Sequence, residues 1–193
     1  MKRGQHHGAL RELLIDTALG LLDREGVEAV TIRAVARASG VSHAAPANHF
    51  VDRRALLTAL AVQCFTDLRA GAAAARDAAS PSPRARITAF ADAYVAYALA
   101  HPNRYRMMWR MDMLDPQDAR LTELVDGLYA GIEQDVLALP GAPDDDATTL
   151  LIALSSAVHG YVAMRIDGNF VAAVDTASGK PRHVAIVERL LGP

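Results

Sequence analysis

The chain has 193 residues, of which 51% are hydrophobic and only 5% aromatic, so it suits a single domain or a small domain joined to a larger one, and its Ala, Leu, Arg, Glu and Asp content favours an all-α fold. Its one cysteine, Cys64, excludes an internal disulfide framework and fits a reducing compartment. The net charge of −2 hides a split: residues 1–54 carry eight Lys/Arg against six Asp/Glu and the remainder twelve against sixteen, the sign expected of a nucleic-acid-binding head on an acidic body.

Residues 1–7 are not followed by an uninterrupted apolar core, which argues against a secretory leader and for a cytoplasmic protein. Leu10, Leu13, Leu14, Ala18, Leu21 and Leu22 recur at helical spacing and predict an amphipathic helix over residues 9–25, closed by Gly26 in a positive-φ conformation. Thr31 reads as the N-cap of a short second helix buried through Ile32, Val35 and Ala36. Gly40 ends it, Val41 is the apolar plug of the turn, and Ser42 is the expected cap of a third short helix over residues 43–49, with Pro46 in its first turn or so. Helix, tight glycine turn and helix is the layout of a helix-turn-helix unit.

Residues 10–60 resemble the DNA-binding head of the tetracycline-repressor (TetR) family. The resemblance rests on "GVEAVTIRAVARASGVS" and "NHFVDRRALLTAL", with Gly40, Val41, Ser42, His49, Phe50, Asp52, Arg53, Leu56 and Leu57 at the family's positions. One residue departs from the pattern: Ala47 stands where the family usually has a phosphate-contacting tyrosine. The resemblance implies a head over residues 1–52 and a body over residues 53–193, with a long fourth helix joining them. It implies DNA contacts from Thr31, Arg33, Arg37, Ser42, His43, Ala44, Ala47, Asn48, His49 and Arg53. Among these, Arg33, Arg37 and Arg53 suit phosphates, His43, Asn48 and His49 suit base edges, and the alanine methyls suit thymine methyls.

Asp52 then caps a long helix to about residue 79, with Leu56, Leu57, Leu60, Cys64 and Leu68 on its buried side. The prolines of "SPSPRAR" break it. A helix over residues 83–100 carries Ile87, Phe90, Tyr94, Tyr97 and Ala98, and "HPN" turns the chain into a short helix crowded with Met107, Met108, Trp109, Met111 and Met113. A further helix over residues 117–139 contains Leu121, Leu124, Leu128 and Ile132, and the three aspartates at 144–146 favour a helix start. The helix over residues 147–167 holds the longest apolar stretch, residues 150–164. Ser155, Ser156 and His159 interrupt it, so it is expected not to span a bilayer. A polar loop and a last helix over residues 183–191 complete the chain.

"HPNRYRMMW" and "SSAVHGYVAMRIDGNF" resemble the bodies of a TetR subgroup that carries a Trp early and a His-Gly pair in a late helix. This resemblance implies a pocket for a small lipophilic ligand, lined by Phe90, Tyr94, Tyr97, Met107, Met108, Trp109, Met111, His159 and Tyr161. It also implies a homodimer on a palindromic operator, seamed by the helices at 117–139 and 147–167 with Leu128 and Val158 at the interface. The expected function is a ligand-responsive repressor, with no cofactor or metal. Two rivals are a helical enzyme using His159 with Ser155 or Asp167, and a constitutive DNA binder. Against the enzyme, no acid is placed to orient His159, no nucleophile elbow is present, and residues 31–50 would have no purpose.

Overall fold

The computed structural model describes residues 3–140 and 147–192, and the aspartates at 144–146 lie outside them. Among the described residues there are eight α-helices and no strand: α1 (Arg3–Glu25), α2 (Ile32–Ala38), α3 (Arg53–Ala78), α4 (Pro83–Ala100), α5 (Pro102–Met108), α6 (Ala119–Leu137), α7 (Thr148–Ile166) and α8 (Arg182–Leu190). Two 3₁₀ turns, Val27–Ala29 and Pro46–Asn48, interleave with the first of them. Two compact units result. Unit 1 is Met1–Phe65 with His101–Glu123, and unit 2 is Thr66–Ala100 with Leu124–Pro193. This differs from a division after residue 52, because the first half of α3 and the segment around α5 both fold with α1.

In unit 1 the buried stripe of α1 is Leu14, Ile15, Ala18, Leu19, Leu21 and Leu22, while Leu13 is 46% exposed. The stripe is therefore turned towards Ile15 and Leu19, relative to the expected face. Gly26 closes α1 at φ 81°, its N–H donating to Leu22 O at 2.9 Å. α2 begins where Thr31 Oγ1 accepts from the Ala34 N–H at 3.1 Å. It ends in a Schellman motif: Gly40 at φ 68° donates to Arg37 O, and Val41 donates to Ala36 O. Asp52 Oδ1 caps α3 through the Ala55 N–H at 2.8 Å.

α5 is held to the end of α1 by Arg104, whose Nε and Nη2 reach Asp23 at 2.8 and 2.6 Å, and by Asn103 donating to Asp23 O. Arg54 donates to Leu114 O at 2.6 Å, and Thr58 Oγ1 accepts from the Asp115 N–H at 2.9 Å. These bonds close a core that includes Phe50, Leu57, Leu60, Cys64, Phe65, Met107 and Met108.

In unit 2, α4, α7 and α8 pack against one another. Their shared interior includes Ile87, Ala91, Tyr94, Val95, Leu154, Val158, Val162 and Val187. α6 adds Leu124, Leu128, Ile132 and Val136. Its Asp135 is buried and bonds Arg76 Nε at 2.5 Å, with Arg86 Nη1 at 3.6 Å. Gly127 lets α6 approach the Arg69 side chain, since a Cβ there would meet its guanidinium carbon at 2.8 Å. The loop after α7 is held by a bridge between Val174 and Pro181, and Arg84 donates to the end carbonyls of α8 at Leu191 and Gly192.

Candidate nucleic-acid interface and internal cavity

The segment expected to form the third helix is not α-helical. Residues 43–45 form a turn, and Pro46–Asn48 a single 3₁₀ turn. The successive bonds run from Ala45 N to Ser42 O, from Asn48 N to Ala45 O and from His49 N to Pro46 O. Proline explains the change. Pro46 has no N–H to give to Ser42 O, and its ring would crowd that carbonyl in an α-helix, so the chain tightens instead. Ser42, expected as a side-chain cap, contributes its backbone carbonyl.

Pro46 is buried and anchors the segment, and Phe50 beyond it is 3% exposed beneath the Arg11 guanidinium, which lies 5.6 Å from the ring centre. Ser42, His43, Ala44, Ala47 and Asn48 are consequently exposed, and His49 is half-buried against Phe50. Thr31, Arg33 and Arg37 are exposed along α2. Nine of the ten residues expected to meet DNA thus stand on α2 and the turn that follows it. Arg53 differs in its bonding: its Nε donates to Val30 O at 2.8 Å and its Nη2 to Val27 O at 2.6 Å. Those bonds fix the Val27–Ala29 turn ahead of α2. A guanidinium over an aromatic ring carries no short-range sequence signal, so Arg11 is not found by reading residues 31–54.

The residues expected to line a pocket separate into two groups. Phe90 and Tyr94 line a cavity inside unit 2 together with Ile87, Tyr129, Leu154 and Val158, and Ser155 reaches it as well. The cavity is small, about 30 Å³. His159 lies beside it, with Nδ1 3.5 Å from the Tyr94 hydroxyl. Burial pushes the His159 imidazole below its ordinary value, and burial likewise pushes the Tyr129 phenol up, so both favour their neutral forms. No charged side chain is among the lining residues. Tyr97 is half-buried on α4, whereas Tyr161 belongs to a separate groove with Met164 and Phe170. The Tyr161 hydroxyl accepts from Arg165 at 3.1 Å.

Met107, Met108, Trp109 and Met111 belong to the other unit. Met107 and Met108 are fully buried in the core of unit 1, Trp109 packs edge-on against Phe65 at 5.4 Å, and Met111 is 44% exposed in the turn after α5. The expected lining is corrected accordingly: adjacency in sequence across "HPN" does not place these side chains in the unit 2 cavity. Tyr129, Ile132, Leu154 and Val187 escape sequence reasoning because they come from helices distant in sequence.

Leu128 and Val158, expected at a dimer seam, are 1% and 8% exposed and turn into unit 2. The uncovered apolar residues of α7 are Ile152, 59% exposed, and Met164, 42% exposed. By length and composition alone α7, at 19 residues, is long and apolar enough to cross a membrane, contrary to the expectation from its polar interruptions. Its Leu154, Val158, Tyr161 and Val162 are nevertheless core residues of unit 2.

Comparison with known proteins adds a further set of observations. Residues 14–60 match the family model of bacterial regulatory proteins of the tetR family, and residues 87–187 match that of the tetracyclin repressor-like C-terminal domain. A helix-turn-helix-type transcriptional regulator of Mycobacterium tuberculosis is 32% identical over 163 residues, covering 82% of this chain and 71% of the relative. The regulator BetI of Burkholderia thailandensis is 30% identical over 151 residues, covering 75% and 76%. Among solved structures, a protein from a Rhodococcus species superposes with a TM-score of 0.80 at 30% identity, covering 98% of this chain and 97% of that one. The regulator PfmR of Thermus thermophilus shares the fold, with a TM-score of 0.65 at 18% identity over 92% and 94% of the two chains.

Proposed function

Because the chain belongs to the TetR family and is therefore a DNA-binding transcriptional regulator rather than an enzyme, we propose that it is a cytoplasmic repressor released from its operator by a small lipophilic molecule. The observation that carries the ligand is the unit 2 cavity. Its walls are apolar, its polar points are the hydroxyls of Tyr94, Tyr129 and Ser155, and no cation waits there for an anionic group. A buried anion without a partner is strongly disfavoured, so the cavity suits a neutral molecule with one or two hydrogen-bonding groups. At about 30 Å³ it has room for roughly one water-sized molecule, so a drug-sized ligand fits only if the surrounding helices part. A ligand that binds the parted state selectively has the differential affinity that a switch requires.

The regulator acts as a homodimer on a palindromic operator. Supporting this is the uncovered apolar face of α7, with Ile152 and Met164 exposed, together with the need for two heads on two half-sites.

The test is operator release. The full chain, bound to the DNA upstream of its own gene, is titrated with a panel of neutral lipophilic compounds and followed by fluorescence anisotropy. At least one compound is expected to release the DNA, and operator DNA should weaken that compound's binding by the same factor. Ala91→Leu places extra carbon in the cavity and should abolish release while leaving operator affinity intact. Release that persists unchanged in that variant would place the effector elsewhere. A DNA complex indifferent to the entire panel would favour a constitutive binder.

A further inference from the structure

DNA binding by this family leaves open what this particular head reads, and the turn after α2 has a composition that narrows the answer. Between Arg37 and Arg53 there is no Lys or Arg. The commonest specific contact to guanine, a bidentate cation on O6 and N7, is therefore missing from the segment that follows the helix-turn-helix glycine. What it exposes instead is His43, Ala44, Ala47 and Asn48, carried on successive i→i+3 turns fixed by buried Pro46.

In that geometry residues three apart eclipse one another and are separated by about 6 Å along the axis. Ala44 and Ala47 are such a pair, so their methyl groups stand in one row. On an α-helix they would be splayed by roughly 60°. A spacing of about 6 Å is close to two base-pair steps of about 3.4 Å each. Alanine meets the thymine methyl by apolar contact, and asparagine pairs bidentately with adenine N6 and N7. Ala44, Ala47 and Asn48 therefore favour the same base pair.

We infer that Ala44 and Ala47 are specificity-determining residues that read two thymine methyl groups in each operator half-site, about two base pairs apart, with Asn48 on an adjacent adenine. The half-site is thus centred on A·T pairs. The usual tyrosine at position 47 would cover this row, and its replacement by alanine is what makes it available.

The test uses the full chain and a random duplex DNA library. Rounds of selection at fixed salt should enrich a half-site with A·T pairs at its centre. Each thymine of the enriched site is then replaced singly by uracil, which removes only the methyl group. Two positions per half-site should lose about fourfold in affinity each, the loss expected for one buried carbon, and the other positions should be unaffected. Ala47→Gly should make one of the two positions indifferent to uracil, and Ala44→Gly the other, with affinity for random DNA unchanged in both. The uracil scan on the unmodified protein stands alone if either glycine variant is unstable. A half-site held by central G·C pairs overturns the inference, as does a site insensitive to uracil at every thymine. Binding to random DNA with no enrichment at all would also overturn it, while leaving DNA binding itself intact.

Discussion

Asn48 and Arg37 are both exposed on the same head but touch different parts of a duplex. Arg37, on α2, is a phosphate ligand without sequence information, whereas Asn48 faces base edges. Asn48→Ala is expected to cost roughly 1–3 kcal/mol on the best operator and to relax preference at one position. Arg37→Ala should weaken binding to every sequence and flatten the dependence on salt. Anisotropy titrations of both variants on selected and random DNA, at several salt concentrations, separate the two roles; identical behaviour would refute the division.

A second residue-scale prediction concerns His159. Its imidazole is held below the ordinary value of 6.5 by burial, so the unfolded chain takes up a proton at a pH where the folded chain does not. Stability is therefore lost as pH falls below about 6.5 and towards the lower folded value. Urea midpoints measured at pH 7.5 and 5.5 should fall more steeply for the unmodified protein than for His159→Gln. Equal slopes would show that the imidazole does not sense its surroundings.

At the scale of elements, much is legible because particular residues announce boundaries. Pro83 and Pro102 stand at the first positions of α4 and α5, and Thr31, Gly40 and Asp52 act at the ends of α2 and α3 as their chemistry dictates. The third helix misleads because the helical pattern of residues 43–49 outweighs, on paper, the missing N–H of Pro46, which sits far enough along the segment to tighten it into 3₁₀ turns. The cavity is half legible. Phe90 and Tyr94 follow from the α4 stripe, but Tyr129, Leu154 and Val187 arrive from three other helices, and no spacing rule pairs residues so far apart.

The ion group on α3, α4 and α6 is not legible at all, since Arg76, Arg86 and Asp135 meet only in the fold. Asp135 is 3% exposed, and Asp135→Asn leaves two guanidiniums without their carboxylate, at an expected cost of about 3–5 kcal/mol. Replacing the closest pair together, Arg76→Met with Asp135→Leu, should recover most of that loss in chemical denaturation. If the double variant is as unstable as Asp135→Asn, the carboxylate is needed for something other than the arginines.

At the scale of the whole molecule, the proposed dimer makes a mass prediction. Light scattering at micromolar concentration should give about twice the 20.6 kDa of one chain. Ile152→Asp and Met164→Asp place charge on the uncovered side of α7 and should return the mass to that of one chain, weakening operator binding in parallel. Changes at Leu128 or Val158 would instead damage the interior of unit 2, so loss of the dimer there could not be told from unfolding.

The size of the unit 2 cavity also sets a clock. An effector that finds only about 30 Å³ of room must wait for the helices to part, so its arrival is governed by how often they do so. In a stopped-flow experiment the observed rate should rise with effector concentration and then level off at the opening rate. Once the walls close again, escape waits on the same event. Derepression would then outlast a brief pulse of the effector, giving the cell a delay set by the protein rather than by the compound.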